Sequence, residues 1–197
     1  MLILPTTHPT NSPHKLTITM PAVALTVRPS QPHDLEAITA IYGHHVLTGT
    51  GTFETVPPSL ADMTQRRADV VDKGLPHLVA SLNGEVLGFA YGNWFKPRPA
   101  YRFSAEDSVY IAPDQQGKGI GKTLMHVLLA HMQTAGIRHV MAVIGDSDNT
   151  GSIGLHKAMG FTEVGRMHAC GWKFERWLDI VIMERALGEG CTTAPRA

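Results

Sequence analysis

Gln116-Gly117-Lys118-Gly119-Ile120-Gly121 stands between an apolar run that reads as a strand and a stretch with the periodicity of an amphipathic helix. Glycines at this density let backbone N–H groups approach a ligand without side-chain interference. A helix that starts there turns its positive, amide-rich end toward whatever the loop holds. The segment therefore calls for a strand–loop–helix unit in a layered α/β fold, and it implies a phosphate-bearing ligand.

The rest of the chain supplies compatible elements. Leu25-Thr26-Val27-Arg28 alternates like a short strand and stops at Pro29. Asp34 is a candidate cap for a helix with Leu35, Ile38 and Ile41 on one side, and Ser59 for a second helix carrying Met63 and Val70. Leu78–Ser81 and Glu85–Tyr91 read as strands joined by Asn83-Gly84, a two-residue hairpin signal. Ser108–Ala112 reads as a buried strand ending at Pro113. The helix after the glycines places Ile120, Leu124, Val127, Leu128 and Met132 on one face and closes at Gly136. His139–Ile144 follows as a strand, then a short helix capped by Asp148 or Asn149 and stopped at Gly160. Phe161–Met167 and Leu178–Arg185 complete the strands. Neither an internal repeat nor a second domain is visible, so the pattern gives one mixed α/β layer structure.

With 197 residues, 43% of them apolar, the chain is long enough for one domain with a real core. Lysine plus arginine and aspartate plus glutamate number 17 each, leaving no net field to attract nucleic acid or an anionic membrane. No run reaches the roughly 18 apolar residues of a membrane span. Cys170 and Cys191 form no disulfide framework and have no metal-ligand spacing, which fits a reducing, cytoplasmic setting. Residues 1–24, rich in Thr, Pro and His, read as a mobile extension, with Met20 a candidate start; residues 188–197 read as a polar tail.

The spacing of the glycines discriminates among phosphate sites. A P-loop, G-x-x-x-x-G-K-S/T, would find its second half in Gly121-Lys122-Thr123 but needs glycine where Gln116 stands. A dinucleotide fingerprint, G-x-G-x-x-G, meets Lys122 or Leu124 where its last glycine belongs. The pattern that fits throughout is Q/R-x-x-G-x-G/A, through Gln116, Gly119 and Gly121. No H-E-x-x-H or G-x-S-x-G occurs, and the adjacent His44-His45 and the separated His126 and His131 have no ligand spacing, so no metal is expected.

That last pattern resembles the pyrophosphate loop of the GCN5-related N-acetyltransferases (GNAT). The resemblance is extended by the strand ending in Pro113-Asp114 and by Asn149-x-x-Ser152-x-x-Leu155-His156-Lys157-Ala158-Met159-Gly160-Phe161, and it spans residues 25–187. Gly51-Thr52-Phe53-Glu54, Tyr101 to Tyr110, Ala142 to Ser147 and Lys173 to Asp179 look like their equivalents in the phosphinothricin and methionine sulfoximine acetyltransferase branch. Glu175 departs from that branch, which usually has glycine there. The resemblance implies an α/β (α+β) GNAT fold, a single mixed, mostly antiparallel twisted sheet flanked by helices, with acetyl-CoA as co-substrate.

It also implies roles. Val109, Tyr110 and Ile111 would offer backbone groups to the pantetheine arm and to the oxyanion of the tetrahedral intermediate. Gln116, Gly117, Lys118, Gly119, Ile120, Gly121 and Lys122 would hold the pyrophosphate. Asn149 would contact pantetheine with support from Ser152, although its position also suits a helix cap. Glu106 matches the branch's general base, needed because a primary amine is mostly protonated at neutral pH; burial beside Phe103 and Val109 would raise its pKa. Asp107 is the rival base. His156 stands where many members have tyrosine and would protonate or hydrogen-bond the coenzyme A thiolate or orient the amine, a histidine on a short helix having also a structural reading. A thiol of pKa about 8.5 leaves tolerably without help.

For the acceptor, Trp94, Lys96, Arg98, Tyr101 and Phe103 lie just upstream of Glu106 in sequence, with Arg98 able to fork a carboxylate. Phe53, Asp107 and Ser108 complete the candidate acceptor set. The expected activity is acetyl transfer to the primary amine of a small molecule such as phosphinothricin, methionine sulfoximine or methionine sulfone, by a homodimer as in that branch. The alternatives are acetylation of protein N-termini or lysines, or a non-catalytic acyl-CoA sensor.

Overall fold

The computed structural model describes residues 24–195. The expected N-terminal extension, apart from Ala24, lies outside the described residues together with Met20. Seven strands, β1 (Thr26–Pro29), β2 (His77–Leu82), β3 (Glu85–Trp94), β4 (Ser104–Ile111), β5 (His139–Gly145), β6 (Thr162–Lys173) and β7 (Arg176–Ala186), form one sheet in the order β1-β2-β3-β4-β5-β7-β6. Neighbours run antiparallel except β4 and β5, which are parallel. The mixed, mostly antiparallel sheet expected from the sequence is thus present.

Helices cover both faces. On one, α3 (Ile120–Thr134) and α4 (Thr150–Ala158) bury Leu124, Leu128, Met132 and Ile153 among Leu78, Ala90, Ala105, Val140 and Val181. On the other, α1 (Leu35–Thr48) and Met63 of α2 (Leu60–Asp72) pack on Val79 and Phe89. Burial of this kind contributes roughly 1.5–3 kcal/mol per large apolar side chain. The starts of α1 and α2 differ instructively. Ser59 caps α2 as expected, accepting from the Asp62 N–H at 3.1 Å while Asp62 accepts from the Ser59 N–H at 2.9 Å, a reciprocal capping box. Asp34 makes no cap bond; its buried carboxylate instead takes the Arg28 guanidinium at 2.7 and 2.8 Å and the Gln31 N–H at 2.7 Å.

Several strands outrun their sequence signals. β4 begins at Ser104, its polar first half giving no apolar run, because the Phe103 carbonyl accepts from the Arg138 and His139 amides and brings the chain against β5. β6 continues past Met167 to Lys173 through a register shift between Met167 and Gly171, where Ala169 takes a φ of 51°. Such a bulge breaks the period-two pattern that reading by alternation depends on. The β6–β7 turn places Phe174 and Glu175 at φ 51° and 56°, the positive pair favoured in two-residue hairpins, without glycine. The start of the polar tail is tied down: Arg138 donates to the Gly190 carbonyl at 3.0 Å and to Thr193 Oγ1 at 2.7 Å.

Candidate functional site

The parallel ladder of β4 and β5 lasts only from Ser104–Glu106 against His139–Met141. β4 stays bonded to β3 through Ile111, and β5 to β7 through Gly145. Past Glu106 and Met141 the two strands therefore part inside the sheet, and a cleft of about 1170 Å³ opens there.

One mouth of the cleft is the glycine loop. Gly117 and Gly119 take φ 74° and 81°, a region that side-chain-bearing residues enter at a cost of roughly 1–2 kcal/mol. Gly119 is the N-cap of α3 and has no side chain to satisfy the first-turn amides. Those amides belong to Ile120, Gly121 and Lys122, which border the cleft with Gln116, Gly117 and Gly119. A helix end so arranged suits an anion. Lys118 is not on the lining; its ammonium donates to Gln115 Oε1 at 3.0 Å on the exposed surface.

The β4 wall exposes Ser108, Val109, Tyr110 and Ile111 to the cleft, and α4 faces them with Asn149, Ser152 and Leu155. Asn149 caps α4 through its Oδ1, which accepts from the Ser152 N–H at 3.2 Å, and it borders the cleft as well. Phe53 closes the far side, packed so tightly on Gly145 and Gly171 that a side chain at either glycine would collide with its ring.

Glu106 and Asp107 sit at the vertex, where the ladder ends, and strand alternation sends them to opposite faces. Glu106 is half-buried and its carboxylate makes no hydrogen bond among the described residues. Burial, then the adjacent Asp107 charge, push its pKa up against an opposing pull from Lys96. Asp107 is not the open carboxylate of a rival base or substrate ligand. It is buried, its Oδ2 lies 2.9 Å from His156 Nε2, and its Oδ1 is enclosed without a partner.

His156 is buried too, with Nδ1 2.7 Å from the Ser152 carbonyl oxygen. Both ring nitrogens thus have partners within the protein. Burial opposes charging of the imidazole, yet the Asp107 bond and charge, with the Ser152 carbonyl, hold its pKa above the ordinary value.

The aromatic stretch before Glu106 does not reach the lining within this chain. Trp94 ends β3 half-exposed beneath Lys73, and Phe95 turns back through a bond from its N–H to the Ser104 carbonyl. The loop then packs on itself, Tyr101 edge-on to Phe95, Lys96 over Phe95 and Arg102 over Phe103, with Arg98 exposed. Proximity in sequence to Glu106 did not become proximity to the cleft for Trp94, Arg98, Tyr101 or Phe103; Lys96 alone acts on Glu106, through its charge.

The cleft has other borders that the sequence did not single out: Tyr42 and His45, one turn apart on α1, Tyr91 on β3, and Arg176 on β7. Tyr42 donates to Glu54 at 2.9 Å and meets Thr52 Oγ1 at 3.0 Å, while His45 Nε2 donates to the Ile111 carbonyl at 2.8 Å. Their helical spacing with Ile38 and Ile41 marks the inward face of α1, the one signal that could have found them. Among the described residues no group of three or more His, Cys, Asp or Glu is arranged to hold a metal, and no helix is long and apolar enough to cross a membrane.

Residues 40–161 match the Acetyltransferase (GNAT) family. The chain belongs to the GNAT acetyltransferase family. This acetyltransferase is 49% identical to a phosphinothricin N-acetyltransferase of Alcaligenes faecalis, over 95% of its length and 96% of the relative's. It is 39% identical to an L-methionine sulfoximine/L-methionine sulfone acetyltransferase of Pseudomonas aeruginosa, over 82% of its length and 94% of the relative's. Among solved structures, a GNAT superfamily phosphinothricin acetyltransferase from Sinorhizobium meliloti, crystallised with acetyl-CoA, superposes with a TM-score of 0.85 at 44% identity, covering 87% of this chain and 93% of that one. The parted strands and the glycine loop are therefore the frame of an N-acetyltransferase.

Proposed function

We propose that this enzyme moves the acetyl group of acetyl-CoA to the primary amine of a small amino-acid-like molecule of the phosphinothricin, methionine sulfoximine or methionine sulfone type. The observation that carries the reading is Glu106: a carboxylate at the vertex of the cleft, partly desolvated and without a hydrogen bond among the described residues, beside a helix end suited to a pyrophosphate. A base must be deprotonated itself yet basic enough to take the ammonium proton, and a raised carboxyl pKa serves that need. The free amine then attacks the thioester carbonyl directly. Backbone N–H groups of the parted β4 edge stabilise the oxyanion; as the intermediate collapses the C–S bond breaks, and the proton shed by the new amide nitrogen passes through solvent to the departing thiolate. Gln116 and the residues from Gly117 to Lys122 hold the pyrophosphate, and Asn149 and Ser152 flank the pantetheine arm.

The names of the relatives support a small acceptor. Phe53, Ser108 and Tyr91 border the space beside Glu106 where it would sit. The exposed Trp172, Trp177 and Met167 on β6 and β7 support a homodimer, since large apolar side chains clustered on a surface favour association. Two unpaired, exposed cysteines fit a cytoplasmic setting.

A thiol-release assay with acetyl-CoA, run across phosphinothricin, methionine sulfoximine, methionine sulfone and short peptides, tests the reading. Release with the first three acceptors is expected. Peptides outrunning every amino-acid analogue would overturn the small-molecule acceptor, and binding of acetyl-CoA without release to any acceptor would make the protein a sensor.

A further inference from the structure

His156 meets two acceptors. The Ser152 carbonyl oxygen, 2.7 Å from Nδ1, has no proton to give, so Nδ1 must carry one. The Asp107 carboxyl, 2.9 Å from Nε2, completes a bond only if a second proton lies between them, on the ring or on the acid. The geometry thus fixes the content of the pair at two protons and no net charge, whichever atom holds the shared one. Asp107 on β4 is the ionisable side chain bonded to the ring; Phe161 lies edge-on against it at 5.1 Å, and Ser152 Oγ stands 3.4 Å from Nδ1. Glu106, beside Asp107 on the same strand, points to the other face, where the Lys96 charge acts on it and where it in turn raises the Tyr91 pKa.

The place of the pair matters as much as its chemistry. Glu106 opposite Met141 is the last rung joining β4 to β5. Asp107 is the next residue, and its bond to α4 is the first link between the two sides of the cleft after backbone pairing has stopped. With both side chains almost wholly enclosed, the link is shielded from competing water.

We propose that Asp107 and His156 are a positioning pair, a neutral side-chain rung that sets the opening between β4 and α4 and so aligns Glu106 and the cofactor edge, with neither nitrogen of His156 offered to the reacting thiol. The inference rests on the acetyltransferase reading for its kinetic test but not for its structural one. Loss of the rung lets β4 and α4 shift, and displacement of reacting groups by about 1 Å costs on the order of 10²-fold in rate. A side-chain amide at 107 would keep the rung while holding Nε2 unprotonated: its N–H donates to Nε2 of a neutral ring that still donates from Nδ1.

Kinetics with acetyl-CoA and phosphinothricin, together with ring-nitrogen NMR of the full chain, separate the possibilities. Asp107→Ala and His156→Ala are each expected to lower kcat at least ~10-fold, with the double variant no worse than the poorer single one. Asp107→Asn should recover most of what Asp107→Ala loses. If His156 instead delivers its proton to the thiolate, Asp107→Asn, which leaves no proton on Nε2, will be as slow as His156→Ala, and the proposal falls. In the wild-type protein the His156 ring should titrate, if it does so at all, above the ordinary value of about 6.5; a free, single-step titration at that value would also overturn the proposal. The NMR result judges the pair even if the variants misfold or if phosphinothricin is not acetylated, an outcome that would count against the proposed acceptor alone.

Discussion

The Lys173 ammonium donates to the carbonyl oxygen of Thr52 at 2.8 Å, and to that of Gly49 at the same distance. These bonds join the tip of the β6–β7 hairpin to the segment that follows α1 and carries Phe53 into the cleft. Burial lowers the Lys173 pKa, the expected response of a cation removed from water, against a smaller opposing pull from the Glu54 charge. Lys173→Met keeps the apolar stem and strands both carbonyls. We expect a loss of about 1.5–3 kcal/mol in urea melts, with KM for the amine rising more than KM for acetyl-CoA.

Glu106→Gln should cut kcat at least ~10²-fold at neutral pH if the carboxylate is the base. In the wild type, kcat/KM should fall as pH drops through the raised Glu106 pKa, with its acid limb above the ordinary carboxylate range. Near-wild-type turnover by the glutamine variant at every pH would remove Glu106 from the base role.

The same residue makes a stability prediction of defined sign. A carboxyl whose pKa is higher folded than unfolded holds more protons in the native state between the two values, so stability declines as pH rises through that window. Glu106→Gln should therefore melt higher than wild type at pH 7 to 8, with the gap closing toward pH 4. Thermal scans across that range read the effect directly.

Gly119→Ala tests the glycine loop. Nothing lies within 4 Å of a Cβ built at Gly119, so the penalty comes from its φ of 81° alone, about 1–2 kcal/mol. Reshaping the start of α3 should weaken acetyl-CoA binding by calorimetry while leaving KM for the amine nearly constant.

Glu175→Gly is expected to stabilise. Glu175 holds a φ of 56° beside Phe174 at 51°, and glycine relieves the left-handed strain while adding freedom to the unfolded chain. The balance is a gain of about 0.5–1 kcal/mol, visible as a small rise in Tm.

The parts of the cleft legible in the sequence were those whose geometry is local. Gln116, Gly119 and Gly121 lie in one turn, and Asn149 caps the helix it begins, so spacing alone reports them. Tyr42 and His45 were less visible because an inward helix face looks the same whether it meets a core or a cleft. Asp107 and His156 stand far apart along the chain, and only the three-dimensional fold brings them to hydrogen-bond distance, 2.9 Å. The stretch from Trp94 to Phe103 adjoins Glu106 in sequence, yet after the bond from Phe95 to Ser104 it does not line the cleft within this chain.

The early end of the β4–β5 ladder leaves a sheet with an edge in its middle. Ordinary edge strands lie at the rim, where any extended polypeptide can add to them, and proteins guard such rims against aggregation. Here the unpaired stretch of β4 lies between α1 on one side and α4 on the other, with β5 across the gap. An edge so enclosed is reached through the cleft and not from the rim of the sheet.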